Sequence, residues 1–439
     1  MNELPVDKLQ SDKLVKIKIE KLNKFGLGNV QRYFPDHGLC YIDIPYTLPG
    51  EVSLIKINKN KSKRFLGTLV KSQTHSPNRI DPNCVHFKKC GGCLIQHLDF
   101  EKYLNWKFEL ILSPISEISP QTEFKEILFA KTFSRRRAKV FVKKKDNLFF
   151  IGFKKFKSND ITDISNCIIL EPEILKVVKS LEKYLNKVLK NGDNLTLHLN
   201  KIDAGIDILI ETKNELNYQQ LNFLRDWAKD NEIVRISQKK KNDYELIALY
   251  DKLSLSLPNS NLYILPPPGG FFQATKYAEE IMTKSILNYL NSRKKYKILE
   301  LFCGSGTFTI PLLKNKHKLY SIDLDENSIN NLIKACKIQG LYNNLKTSIA
   351  NLFKNPVINT FIDIFDLVII DPPRIGAKNQ FLNIAESKVK KVISISCNIK
   401  TFTSDAKILL DSGFKLKTLI PIDQFLYTSH LEIIAFFER

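Results

Sequence analysis

The chain changes its hydrophobic rhythm along its length. Residues 14–72 carry short apolar runs with tight turns, the period-two pattern of half-buried strands. Val15-Lys16-Ile17-Lys18-Ile19 alternates cleanly, and Phe25-Gly26-Leu27-Gly28 breaks it. Leu39 to Ile44 and Val52 to Ile57 read as further strands, separated by Leu48-Pro49-Gly50. Five or so short strands of this kind predict a small barrel of the OB type. Phe100 to Leu112 has helical apolar spacing, and residues 171–250 mix helical and strand patterns. Pro266-Pro267-Pro268-Gly269-Gly270 punctuates the chain, and a helix is predicted from about Ala274 to Leu290. From Lys297 onward the apolar runs Ile298–Leu301, Leu319–Ile322, Leu367–Ile370 and Val392–Ile395 alternate with helical stretches. That alternation predicts an α/β doubly wound sheet. The resulting boundaries are 10–73 for the barrel, 74–258 for a central α+β region and 259–439 for the α/β domain. At 439 residues, two or three domains are expected.

Composition adds a probable class of partner only through charge. Lys and Arg total 67 against 46 acids, a formal net charge of +21, which favours a polyanion. A lysine-rich coding bias accounts for abundant lysine but not for the shortage of acids, so nucleic acid is the expected partner. Two stretches concentrate the charge. Lys56, Lys59, Lys61, Lys63 and Arg64 would stud one side of the barrel, or form a solvated loop. Residues 133–157 hold Arg135-Arg136-Arg137 and seven lysines interleaved with Phe141, Phe149, Phe150, Phe153 and Phe156. Cations beside aromatic faces suit single-stranded RNA. An antiparallel hairpin with Phe toward the core and Lys toward water gives the same pattern. No apolar run reaches the length of a membrane span and the N-terminus lacks a secretory pattern, so a cytoplasmic protein with no membrane or obligate protein partner is expected.

Eight cysteines in such a chain argue against a disulfide framework. Cys84, Cys90 and Cys93 cluster around Gly91-Gly92, with Cys167 far downstream, and four soft thiolates suit zinc or an iron–sulfur cluster. Spacing alone does not choose between them.

The remaining chemistry lies in the α/β domain. Glu300-Leu301-Phe302-Cys303-Gly304-Ser305-Gly306 ends one strand and opens a helix, where backbone passes close to a ligand. Asp323 ends the next strand, where a carboxylate can accept from both ribose hydroxyls. The third glycine of a dinucleotide fingerprint is absent, Thr307 following Gly306 directly, which disfavours NAD and leaves S-adenosylmethionine. Asp371-Pro372-Pro373-Arg374 ends the third apolar run, and Ser396-Cys397-Asn398 ends the fourth. A thiolate facing that crevice suits C5 methylation of a pyrimidine. Addition to C6 creates the enolate that C5 needs to attack an electrophilic methyl group, and a base must then remove the C5 proton. Glu432 is the candidate base.

At these residues the chain resembles the bacterial RNA uridine-5-methyltransferase family, over nearly its whole length. The marks are Leu301 to Gly306, Asp371 to Arg374, Ser396-Cys397-Asn398, and Asp423 through His430 to Glu432. Ile399 follows the cysteine motif where members carry proline, and Leu426-Tyr427 replaces a Pro-His pair. The resemblance implies a class I methyltransferase domain with Cys397 as nucleophile and Glu432 as base. It implies S-adenosylmethionine contacts from Gln273, Phe302, Thr307, Asp323, Asn351 and Asp371. It further implies a TRAM-like N-terminal barrel and a [4Fe–4S] cluster on Cys84, Cys90, Cys93 and Cys167, the pattern of the 23S rRNA branch. A tRNA substrate, a cytosine-5 methyltransferase and a non-catalytic RNA-binding or ribosome-assembly factor are the competing readings. Intact Cys397 and Glu432 weigh against the last.

Overall fold

The computed structural model describes residues 14–34, 38–58, 63–146, 148–241 and 243–439. Lys59, Lys61 and the first residues of the expected barrel lie outside them. The chain forms two compact units. One runs through Leu110 and takes in Lys154–Asp160 and Tyr427–Ser429; the other comprises Ile111–Phe153, Ile161–Leu426 and His430–Arg439.

In the first unit a six-stranded sheet runs Leu14–Lys18, Val52–Asn58, Arg64–Ser72, Gly38–Ile44, Gly28–Phe34, Lys21–Leu22. The first and last of these are consecutive in the chain, joined by Ile19 and Glu20. One continuous N-terminal segment therefore pairs with both edges, and the sheet curls shut. Ile17, Val30, Ile42, Ile55 and Phe65 fill its interior. Glu51 is buried beneath, accepting from the Leu48 amide at 2.9 Å and from the Arg79 guanidinium at 2.5 and 2.8 Å. Arg64 is committed to Asp43 at 2.5 and 3.0 Å, so it is tied into the barrel rather than being a simple surface cation.

The second unit holds two large sheets. A seven-stranded sheet is ordered Ile161–Asp163, Leu148–Lys154, Arg137–Lys145, Asn194–Ile202, Gly205–Thr212, Ile233–Lys239, Tyr244–Leu249. On its hairpin, Ala138, Val140, Val142 and Ile151 face the core, with Phe149 and Phe153 packed partly against it. Lys139, Phe141 and Lys143 point the other way along the strand. The hairpin reading thus holds for Phe149 and Phe153, while Phe141 shares the lysine face.

The arginine triplet divides similarly. Arg136 is buried and pairs with buried Glu279 at 2.7 Å, so it serves the fold rather than a phosphate. Burial raises the Glu279 carboxyl and Arg136 opposes that rise.

The nine-stranded sheet has the central order Leu345–Ile349, Lys318–Asp323, Lys297–Leu301, Leu367–Ile370, Lys391–Ser396, Glu432–Glu438, Lys415–Asp423. The first five strands are mutually parallel; Glu432–Glu438 runs antiparallel between its neighbours. Ile298, Leu299, Val368, Ile369, Val392 and Ile393 are essentially inaccessible, as expected for parallel strands covered on both faces. Glu123–Phe124 and Leu128–Phe129 extend the far edge beyond Lys415–Asp423. No helix of the described residues is long and apolar enough to cross a membrane.

Removing one partner of the Arg136–Glu279 pair strands a charge in the interior. Arg136→Ala is expected to lower unfolding stability by about 3–5 kcal/mol in denaturant titrations. A loss below about 1 kcal/mol, within the range of exposed pairs, would mean the pair is not structural.

Candidate active site

The register of two strands brings the proposed nucleophile and base together. Strand Lys391–Ser396 pairs antiparallel with Glu432–Glu438, and the ladder ends at Ser396 opposite Ile433. Cys397 and Glu432 are the next residues on each side, so they stand opposite one another where this ladder ends, Glu432 still paired with Ile422 on its other side. Asp371 follows the other neighbour of the Cys397 strand, with Ile370 paired to Ser394. Three separate sequence segments therefore converge at one end of the sheet, the end where open α/β sheets bind ligands.

The electrostatics are those of a crowded, dry site. Burial, followed by Asp371, pushes the Glu432 carboxyl up to about 8, against a hydrogen bond from Gln424. Burial and Asp323 push Asp371 up to about 7. Burial, Glu432 and Asp371 push the Cys397 thiol up to about 12, and Arg374 opposes them. Such displaced values in one cleft mark a reactive site.

Gln424 is a residue the sequence pattern did not single out. Its Nε2 donates to Gln273 Oε1 at 2.9 Å, and its Oε1 accepts from the Thr275 amide at 3.3 Å. Gln273 and Glu432 are thereby linked through one buried amide. The Gln273 segment is itself pinned to the seven-stranded sheet. Arg136 Nε donates to the Gln273 carbonyl at 3.1 Å and Arg137 to the Phe272 carbonyl at 2.8 Å. Asn200 Nδ2 donates to the Gly270 carbonyl at 3.2 Å, and Arg235 to Pro266 O at 3.1 Å.

Beside this segment opens a cleft of about 300 Å³, lined by Arg135, Arg137, Lys139, His198, Phe271 and Phe425 among others. Arg137 lies 4.6 Å over the Phe271 ring and Arg135 5.4 Å over Phe425. The cleft thus offers aromatic faces and cations together.

The Gly-rich turn lies at the same end of the sheet. Gly306 has φ +94°, and a Cβ there would come within 2.4 Å of Leu332 Cδ1. Phe302 also has positive φ, 63°, and its ring lies tilted against Phe353, centroids 5.5 Å apart. Asp323 accepts from the Gly304 amide at 2.8 Å and the Asp325 amide at 2.9 Å, leaving lone pairs on both oxygens. Asn351 Oδ1 accepts from Phe353 and Lys354 amides at 3.1 and 3.2 Å. The main chain beside it is tied to Asp323 through the Ala350 amide, 2.9 Å. Thr307 continues the turn, half-buried. Glu300 is buried behind it, Oε2 bonded to Thr309 and Ser321 while Oε1 has no partner among the described residues. Burial first, then Asp371 and Asp323, hold that carboxyl at about 7. These features fit a cationic nucleoside cofactor: close backbone, a carboxylate for ribose hydroxyls, and negative charge nearby.

The cysteine cluster is different. Cys84 and Cys90 sit on consecutive turns, Cys84 O accepting from the Phe87 amide and His86 O from the Cys90 amide. Cys90 Sγ accepts from the Gly92 amide at 3.4 Å. Burial, with Cys90 and Cys93 adjacent, pushes the Tyr46 hydroxyl up to about 12. Among the described residues no three His, Cys, Asp or Glu side chains are gathered as metal ligands. The [4Fe–4S] cluster that the resemblance implies on Cys84, Cys90, Cys93 and Cys167 therefore draws no support from the described residues.

Comparison with known proteins places this geometry among relatives. The sequence model of the tRNA (Uracil-5-)-methyltransferase family matches residues 121–439. An uncharacterized RNA methyltransferase of Brucella melitensis is 31% identical over 428 residues, 97% of this chain and 98% of that protein. The 23S rRNA (uracil(1939)-C(5))-methyltransferase RlmD of Shewanella woodyi is 26% identical, covering 97% of this chain and 96% of its own. Among solved structures, the Pyrococcus abyssi tRNA (uracil-54, C5)-methyltransferase bound to S-adenosyl-L-homocysteine superposes with TM-score 0.72 at 22% identity. That match covers 96% of this chain and 99% of the other, and establishes a shared fold.

Gly306→Ala should collide with Leu332 in a backbone conformation that disfavours side chains, at a cost of about 1–3 kcal/mol. Calorimetric titration with S-adenosylmethionine is expected to show binding weakened about tenfold or more. Unchanged affinity would separate this turn from the cofactor.

Proposed function

Because the chain belongs to the tRNA (uracil-5-)-methyltransferase family and is a SAM-dependent RNA uracil-5-methyltransferase, we propose that it methylates C5 of a uridine in 23S rRNA through a covalent Cys397 adduct. The observation that carries the mechanism is the convergence of Cys397 and Glu432 at the ends of two paired strands, with Asp371 on the third.

In this reading Cys397 Sγ bonds to C6, and the C5–C6 π electrons move to O4 as an enolate. S-adenosylmethionine supplies an electrophilic methyl group, with S-adenosylhomocysteine as its residue. Gln273, Phe302, Thr307, Asp323, Asn351 and Asp371 would hold that cofactor. Glu432 then takes the C5 proton, and the released electron pair reforms C5=C6 and expels Sγ. Gln424 orients Glu432 through its amide. The buried carboxyl, held near 8, suits a group that must accept a proton and lose it again each cycle.

The 23S branch is supported by relatives named RlmD in Shewanella woodyi and Vibrio vulnificus, alignable over 96% and 99% of their lengths. The family description itself favours a tRNA substrate as the second reading. RNA binding draws support from the cleft of Arg135, Arg137, Lys139, Phe271 and Phe425, where cations and aromatic faces suit a splayed strand. Residues 10–73 as a TRAM-like barrel, 74–258 as a central RNA-binding region and 259–439 as the methyltransferase domain complete the proposal. The [4Fe–4S] cluster on Cys84, Cys90, Cys93 and Cys167 rests on the family resemblance beside the cysteine spacing, and no step here depends on it.

Labelled S-adenosylmethionine with separate unmodified 23S rRNA and tRNA transcripts is expected to leave 5-methyluridine in the 23S product. Label in tRNA alone would transfer the assignment to the second reading. Cys397→Ala should abolish turnover, a loss of at least about 10⁴-fold, with RNA affinity within about threefold of wild type; residual turnover near wild type rules out the adduct. Since Glu432 must be ionised and Cys397 a thiolate, kcat/KM is expected to climb with pH from about 6 through about 9. A profile falling over that interval contradicts the roles given to both groups.

A further inference from the structure

The site as described leaves its nucleophile in an unfavourable field. Glu432 and Asp371 both face Cys397 and both oppose a negative charge on sulfur. A reactive cysteine needs a compensating cation. One residue of the Asp371-Pro372-Pro373-Arg374 segment has the position for it and no role so far. The Arg374 carbonyl accepts from Asn398 Nδ2 at 2.8 Å and from Thr401 Oγ1 at 3.3 Å. Its main chain is thus fixed to the residue directly after Cys397 and to the helix that begins there.

Two residues on, the turn is held again. Asp405 Oδ2, from the same helix, accepts from the Ala377 amide at 3.1 Å and packs against Gly376, which has φ +73°. The guanidinium end reaches the third segment: Arg374 Nη2 lies 3.3 Å from His430 Nδ1, two residues before Glu432. An arginine can only donate, so Nδ1 accepts and that imidazole is neutral in this pairing. His430 is in turn braced edge-on against Phe425, ring centroids 6.1 Å apart. One exposed arginine therefore spans the segments that carry the nucleophile and the base.

We propose that Arg374 is the positioning residue that brings Cys397 to its thiolate, its main chain fixed by Asn398 and Thr401 and its charge aimed by His430. The inference rests on the assignment of Cys397 as nucleophile but concerns the sulfur before any RNA is bound. Asp371 and Glu432 disfavour the thiolate, and Arg374 is the cation that opposes them at the sulfur; His430 adds no charge while it accepts from Arg374. The same cation favours the ionised form of Glu432.

The test reads the thiol directly. The full-length protein, without RNA, is alkylated with iodoacetamide across pH 6 to 10, and the Cys397 peptide is quantified by mass spectrometry. Arg374→Gln is expected to lower the Cys397 alkylation rate about tenfold at each pH of that range, the fall that a thiol about one pH unit weaker in acidity gives below its midpoint. Arg374→Lys should recover most of that loss, and His430→Gln should retain part of it. Identical alkylation rates in wild type and Arg374→Gln across that range, with S-adenosylmethionine affinity unchanged, overturn the proposal. So does a lysine variant as slow as the glutamine one, which would assign the residue to the turn's structure alone. Failure of Cys397→Ala to stop turnover would instead remove the nucleophile assignment, whatever the alkylation profile.

Discussion

The antiparallel ladder between Lys391–Ser396 and Glu432–Glu438 is the constraint on which the site depends. Strand register is periodic in two, so a slip of one residue would turn every side chain to the opposite face. The ladder cannot slip, because Ile393, Ile395, Ile433 and Ile434 are all fully buried by it. Hydrophobic burial on both faces therefore sets the separation of a thiol and a carboxyl that lie 35 residues apart in the chain. Strand Lys415–Asp423, on the outer side of Glu432–Glu438, delivers Gln424 to the same end.

Burial performs a second task at this end of the sheet. Glu300 and Glu432 are buried and Asp371 is half-buried, and each is held closer to neutrality than an ordinary carboxyl. Carboxyls in that condition exchange protons with little driving force in either direction, which suits a cycle that removes one proton from carbon. The same negative environment attracts a cofactor bearing a sulfonium charge. It also penalises the thiolate, and the bracing of Arg374 is the structural answer to that conflict.

The seven-stranded sheet contributes by holding the Gln273 segment rather than by supplying reacting groups. Arg136, Arg137, Arg235 and Asn200 each donate to a carbonyl between Pro266 and Gln273. A loop of consecutive prolines and glycines has few donors of its own, and these side chains fix its path. Basic residues read from the sequence as phosphate ligands are thus divided, some fixing a loop from the interior and others facing the cleft beside Phe271.

Local pattern determined a good deal. Period-two alternation marked Val15–Ile19 and Leu39–Ile44, and unbroken apolar runs marked the parallel strands, because burial selects those patterns directly. Asp371, Cys397 and Asp323 were legible because each ends an apolar run, and the ends of parallel strands share one edge. What sequence could not give was register and partnership. Gln424 looks like any polar loop residue until Glu432 and Gln273 are brought around it, and Arg136 looks like a surface cation until Glu279 is buried against it. The cysteine spacing suggested soft metal ligands, but spacing bounds reach and does not orient side chains. Those decisions belong to tertiary packing: long-range burial chooses which distant groups share a low-dielectric space, and only then do their charges acquire a chemical role.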